Sequence, residues 1–228
     1  MYTGEKTHLM HDRVQVKICG ITEPEDALVC AAWGADAAGL VFYPKSPRFV
    51  TLNRAARIAS VLPAHVARVG VFVNETYETL METADNCRLS ALQLHGNEPP
   101  ELVEKLRENG LFVIKCLYVN GTPSIETAPQ YNASAFLVEC SAAALPGGNA
   151  KTWDWSAARE FAENYPTIIA GGLGPANVKL AIEAAGPDAV DASSALESSP
   201  GRKDTRKVRD FVYAVRLYDI SNPTRRIF

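Results

Sequence analysis

The chain has no run of about 18 apolar residues, the length a membrane-crossing helix requires, and its opening stretch, Met1 to Arg13, lacks the apolar block of a signal peptide. Basic charge is not in excess: 23 Lys and Arg against 26 Asp and Glu give a formal charge of −3. That balance argues against a nucleic-acid or anionic-membrane partner, because neither has a basic field to meet, and any acidic ligand must be gripped by local donors. The five cysteines, Cys19, Cys30, Cys87, Cys116 and Cys140, are odd in number and scattered, with no C-x-x-C pair. That pattern argues against both a disulfide framework and a zinc site, and a reducing cytoplasm is the expected compartment. No Pro/Ser-rich linker or charge block divides the 228 residues, 47% of them hydrophobic. One domain over residues 14–228 is expected, preceded by a flexible N-terminal arm at 1–13.

What is present is a regular alternation. Strand-length apolar runs fall at Val14–Cys19, Ala37–Phe42, Ala67–Val73, Ala91–Leu94, Phe112–Leu117, Ala135–Glu139, Thr167–Ala170 and Ala189–Asp191. Amphipathic helix-length stretches separate them, at Glu25–Trp33, Leu52–Val61, Tyr77–Cys87, Pro100–Asn109, Ser124–Ala128, Trp155–Asn164, Ala176–Ala185 and Asp204–Arg216, the fifth being the shortest. Eight consecutive βα units of this kind predict an α/β fold of the (β/α)8 TIM-barrel type, in which chemistry gathers at the carboxyl ends of the strands. The segments Gly34-Ala35-Asp36-Ala37 and Gly186-Pro187-Asp188-Ala189 mark two matching helix-to-strand joints, a faint trace of internal duplication.

The strand ends carry the candidate residues. Val16-Lys17-Ile18-Cys19-Gly20-Ile21-Thr22 ends a β-branched run on a thiol ahead of the helix start Thr22-Glu23-Pro24-Glu25. Free cysteines usually serve packing, which is how Cys30, Cys87 and Cys116 read; the strand-end position sets Cys19 apart. Cys140 also lies at a strand end, with a parity that turns it from the axis. Glu139 closes Phe136-Leu137-Val138, where a carboxylate must either pair with a buried cation or stay protonated for use. Lys17 shares strand parity with Cys19 and is one cation for that pairing. Tyr43-Pro44-Lys45-Ser46-Pro47-Arg48 holds Lys45 and Arg48 on a proline-restricted loop, and an arginine so held grips a carboxylate with a bidentate fork. Gln93-Leu94-His95-Gly96 puts His95 at the fourth strand end, as a structural residue or a ligand-binding one. Gly171-Gly172-Leu173-Gly174 and Asp191-Ala192-Ser193-Ser194 follow the last two strands, where backbone N–H groups and serine hydroxyls suit a phosphomonoester.

In this order the blocks resemble the phosphoribosylanthranilate isomerase family of tryptophan biosynthesis, from about Val16 to Asp204; Gly70-Val71-Phe72-Val73-Asn74 is a further matching block. The resemblance implies a cofactor-free Amadori rearrangement of an aminoaldose phosphate, N-(5-phosphoribosyl)anthranilate, to the aminoketose phosphate. A carboxylic acid protonates the furanose oxygen, the ring opens to a Schiff base, and a cysteine takes the C2 proton. Carried over, Cys19 is the base and Glu139 the acid. Arg48 binds the anthranilate carboxylate, Gly171, Gly172, Ser193 and Ser194 bind the phosphate, and Asp191, His95 and Gln93 contact the rest of the substrate. No metal or cofactor is implied, the partner is a small phosphosugar, and the chain is expected to act as a monomer or homodimer.

Three departures from the family pattern stand out. Glu139 replaces an aspartate, moving the carboxyl by about 1–1.5 Å. Gly147-Gly148-Asn149-Ala150-Lys151-Thr152-Trp153-Asp154-Trp155 alters a loop, and Ala195 stands where glycine is usual, which is expected to narrow the phosphate pocket or shift its backbone. They raise two alternatives, a paralogue acting on another aryl-amine phosphoribosyl adduct and a non-catalytic barrel binding a phosphorylated ligand. Histidine-pathway aminoaldose isomerases share the fold and reaction type, but their usual aspartate pair is missing here, since the first strand ends in Cys19.

Overall fold

The computed structural model describes residues 10–141, 152–218 and 223–228. Eight parallel strands close into a barrel: β1 (Gln15–Cys19), β2 (Ala37–Val41), β3 (Ala67–Phe72), β4 (Ala91–Leu94), β5 (Phe112–Tyr118), β6 (Ala135–Glu139), β7 (Thr167–Ile169) and β8 (Ala189–Ala192). Each expected run is found within one residue at either end, the margin over which strand boundaries are normally drawn. Closure is made by β1 on β8, in a register that sets Lys17 opposite Asp191.

Strand alternation sorts the side chains into two cores. Val69, Ala91, Ile114, Cys116, Leu137, Ile168 and Ala189 fill the barrel interior. Val16, Ile18, Leu40, Leu92, Val113, Val138 and Val190 face outward under the helices. Because both faces are covered, the strands read as near-continuous apolar runs. The barrel is therefore a packed core below its carboxyl rim.

The outer layer comprises α1 (Pro24–Ala32), α2 (Leu52–Val61), α3 (Tyr77–Cys87), α4 (Pro100–Glu108), α5 (Arg159–Asn164), α6 (Val178–Ala185) and α7 (Thr205–Arg216). Thr51, Thr76 and Asp204 cap their helices by accepting backbone N–H bonds from the first turn. Between β5 and β6 the chain forms only a 3₁₀ turn, Ile125–Gln130, where a helix is expected at Ser124–Ala128. Pro129 lies inside it and supplies no N–H, so the turn cannot extend into an α-helix. The sixth helical stretch likewise opens as a 3₁₀ turn, Trp155–Ala158, before α5 begins.

The described part of the expected N-terminal arm, Met10–Arg13, is docked. Met10–His11 pairs antiparallel with Thr224–Arg225, and Arg13 bonds Asp36 at 2.7 Å. The C-terminal residues seal the amino end of the barrel. Gln15 Oε1 accepts from the backbone N–H groups of Ile227 and Phe228 at 3.0 and 2.8 Å, and Ile227 packs into the interior core. The two matching joints do the same job at this end: Asp36 accepts from Val16 N and pairs with Arg216, while Asp188 accepts from Thr167 N and pairs with Arg225. Among the described residues no helix is long and apolar enough to cross a membrane.

Candidate active site at the carboxyl rim

The ten residues given a role by the family resemblance, Cys19, Arg48, Gln93, His95, Glu139, Gly171, Gly172, Asp191, Ser193 and Ser194, line one cavity at the carboxyl end of the barrel. Val41, Tyr43, Ser46, Val71, Val73, Ala170, Leu173 and Ala192 complete its wall, and the aliphatic ones among them give it apolar surface for an aromatic ring. Lys45 is exposed and outside this lining; Cys140 is half-buried, with Asn120 against its sulfur, and is also outside it.

Cys19 is placed by its neighbours. Its partner across the sheet is Gly39, where a Cβ would come within 2.7 Å of Sγ, so the bare glycine makes room for the thiol. Ser193 Oγ donates to the Cys19 carbonyl at 3.0 Å, tying the first strand end to the last. Below it, Lys17 Nζ lies 3.0 Å from Asp191 Oδ1, both side chains buried. Burial works against the Lys17 ammonium, but Asp191 and then Cys19 outweigh it and raise its pKa above 10.5. Lys17, a cation able to pair with a barrel carboxylate, thus pairs with Asp191 rather than Glu139, because barrel closure puts β8 directly beside β1.

Glu139 is 7% exposed, and its Oε2 lies 3.6 Å from His95 Nε2. His95 Nδ1 is bonded to Gln93 Nε2 at 2.8 Å, which fixes the ring and aims Nε2 toward the carboxyl. Burial disfavours a charged imidazole here, yet Cys116 and Glu139 beside it hold its pKa well above 6.5. His95 Nε2 and Gln93 Oε1 are buried polar atoms without a hydrogen-bond partner in the described residues, both on the cavity wall. Unpaired groups of that kind are costly unless a ligand completes them.

The loop after β7 is shaped by glycine. Gly171 and Gly172 have φ of +87° and +68°, which L side chains rarely adopt, and a Cβ at Gly171 would press on Trp153 Nε1 at 2.9 Å. Asn177 holds this loop from both sides, accepting from Gly174 N at 2.8 Å and donating to Gly172 O at 2.9 Å.

Arg48 sits under Gly20, where any Cβ would collide with its side chain. Its guanidinium makes a fork on Glu197, Nε to Oε1 at 2.8 Å and Nη2 to Oε2 at 2.7 Å, and Lys203 Nζ joins Oε1 at 2.9 Å. Burial opposes the ionised Glu197, but Arg48 and Lys203 outweigh it and hold its pKa below 4.5. Sequence reading passed over Glu197 and Lys203, and also a second buried pair, Lys115–Glu98 at 2.7 Å. Lys115 also donates to Gly96 O, and Glu98 accepts from Asn74 N and Gly96 N, so the pair fixes the backbone directly after His95. Loss of either partner of such a pair typically costs about 3–5 kcal/mol.

With the geometry in place, comparison with known proteins is decisive. A family model for N-(5'-phosphoribosyl)anthranilate isomerase matches residues 16–214. The chain belongs to the phosphoribosylanthranilate isomerase family. An N-(5'-phosphoribosyl)anthranilate isomerase of Desulfatibacillum aliphaticivorans is 48% identical over 215 residues, covering 94% of this chain and 99% of the relative. The crystal structure of the phosphoribosyl anthranilate isomerase from Thermotoga maritima superposes with a TM-score of 0.83 at 42% identity, over 89% of this chain and 98% of that one. A solved isomerase in complex with reduced 1-(o-carboxyphenylamino)-1-deoxyribulose 5-phosphate gives a TM-score of 0.80 at 41% identity, with the same coverage.

Against the family pattern the departures resolve unevenly. Glu139 reaches the cavity wall despite its extra methylene. The expectation for Ala195 is corrected: it lies in the 3₁₀ turn Ser194–Leu196, outside the cavity lining, and among the described residues only Asn74 and Arg88 are non-glycine residues with positive φ. Its methyl faces Gly174, where a Cβ would meet it at 3.2 Å, so it neither narrows the pocket nor strains the backbone. Gly147 to Lys151 fall outside the described residues.

Proposed function

We propose that the chain isomerises N-(5-phosphoribosyl)anthranilate by an Amadori rearrangement, with Cys19 as base and Glu139 as acid. The observation that carries this reading is the convergence of a thiol, a carboxyl, an arginine and two phosphate-type loops, from different strands, on one cavity. The phosphate is placed against the N–H groups of Gly171 and Gly172 and against Ser193 and Ser194. Arg48 meets the anthranilate carboxylate, and Val41, Val71 and Val73 offer apolar contact to the ring.

Held at both ends, the ribose lies between Cys19 and Glu139. Glu139, as the acid, delivers a proton to the ring oxygen; the C1–O bond breaks and the nitrogen lone pair forms the Schiff base. Cys19, as thiolate, removes the C2 proton, and the electrons shift to neutralise the iminium as an enolamine, which tautomerises to the ketone. His95 Nε2, Gln93 Oε1 and Asp191 are assigned to the sugar hydroxyls, which would complete the two unpaired atoms. The free cysteines support a reducing cytoplasm as the place of action. Neither alternative raised by the departures gains support, since base, acid and both anion-binding ends share the cavity.

The test is turnover of phosphoribosylanthranilate, generated in situ, together with rescue of a tryptophan auxotroph lacking its own isomerase. Both are expected to succeed. Tight binding of the reduced product analogue without turnover, and no rescue, would select the binding-only reading.

A further inference from the structure

We propose that Glu197 is a positioning residue for the aryl end of the substrate: anchored by Lys203, it turns the Arg48 guanidinium so that its end edge, Nη1 and the outer N–H of Nη2, is presented to the substrate carboxylate. This rests on the reading of Arg48 given above. A guanidinium offers two edges for a bidentate carboxylate, and Glu197 occupies the side edge through Nε and Nη2. Only the end edge is left for a ligand, and its direction is set by the carboxylate that holds the other.

That carboxylate cannot drift. Its side chain is 4% exposed, that of Lys203 is fully buried, and the two residues face each other in a short antiparallel ladder, Glu197–Ser199 on Arg202–Lys203. Lys203 is itself fixed by its own N–H on Asp26 at 3.0 Å, and Lys207 Nζ bonds the Glu197 carbonyl at 2.7 Å. Lys203 Nζ further reaches the Ser193 carbonyl at 3.2 Å. The same buried cluster therefore ties Arg48 to the backbone of the loop after β8.

Charge completes the argument. Arg48 and Lys203 are two cations and Glu197 is one anion, so the side chains of the cluster carry a net positive charge that one ligand carboxylate neutralises. Glutamine at 197 would face Nη2 or Nε with an amide donor, opening the fork and leaving Lys203 short of a counter-charge.

The experiment is calorimetric titration of wild type, Glu197→Gln and Glu197→Asp with two probes: reduced 1-(2-carboxyphenylamino)-1-deoxyribulose 5-phosphate and its phenylamino counterpart without the carboxylate. The quantity read is the ratio of the two Kd values. Wild type is expected to favour the carboxylated probe, and both variants to lose about tenfold to a hundredfold of that preference, with little change for the decarboxylated probe. Circular dichroism and the Kd of the decarboxylated probe, both expected close to wild type, show that each variant is folded before its ratio is read. A ratio unchanged or increased in both variants overturns the proposal, since Glu197 would then only compete for Arg48. A wild-type protein with no preference removes the Arg48 assignment itself, and this inference with it. Should neither Glu197 variant fold, Lys203→Gln decides: it leaves Arg48 in place and removes the cation that anchors Glu197, so a lowered ratio supports the proposal and a retained one overturns it.

Discussion

Replacing Cys19 with alanine is expected to lower kcat by about 10²–10⁴-fold, the usual worth of a positioned general base, while the reduced product analogue binds about as well as before. The thiol is small, and it sits beside Gly39 rather than against a side chain that would collapse on its removal. Fold and pocket should therefore survive. Serine is the more telling substitution, because it keeps the size and polarity but not the basicity: an ordinary thiol titrates near about 8.5 and is already partly thiolate at neutral pH, whereas a serine hydroxyl is scarcely ionised. Cys19→Ser is expected to fall close to the alanine variant. Steady-state kcat alongside Kd for the analogue checks this, and wild-type kcat in either variant would remove Cys19 from the chemistry.

The second large effect is at Glu139. Glu139→Gln keeps shape and burial but has no proton to give, and kcat should again fall by about 10²–10⁴-fold. Glu139→Asp restores the family's residue, yet the expectation is a loss. The carboxyl would withdraw by about 1–1.5 Å, and misplacement of that order costs about a hundredfold. In this chain Glu139 Oε2 stands 3.6 Å from a His95 fixed by Gln93, so the neighbouring group is set for the longer side chain. Activity of Glu139→Asp equal to or above wild type would mean that the pocket has not adapted to glutamate.

Much of this site was legible because the fold converts strand ends into a rim. Val16 and Ile18 identify a strand, and the residue after them then has a known place at the mouth; the same logic located His95, Glu139, Gly171 and Ser193. Parity told which residues face inward and put Lys17 beneath Cys19. Its partner was not legible, because closure of β1 on β8 is a property of the whole sheet and brings Asp191, not Glu139, alongside. The Arg48–Glu197 fork spans 149 positions, and neither residue carries a local sign of the other. Glu197 reads as an ordinary charge after a turn until the ladder with Lys203 buries it. The fifth helix failed for a local reason, Pro129, that composition alone did not weigh. Ala195 misled in the opposite direction: the glycine usual there suggested a special backbone angle, whereas the 3₁₀ turn is one alanine adopts freely.

The central claim is that a thiol on β1 and a carboxyl on β6 flank one pentose whose phosphate is held at the last two strand ends. A crystal structure with the reduced product analogue tests it most directly. The account predicts the phosphate on Gly171, Gly172, Ser193 and Ser194, Cys19 Sγ against C2, and a Glu139 oxygen within about 2.6–3.2 Å of the former ring oxygen. An analogue bound with its phosphate at Arg48, or with Glu139 and Cys19 on the same side of the sugar and away from those atoms, would contradict it.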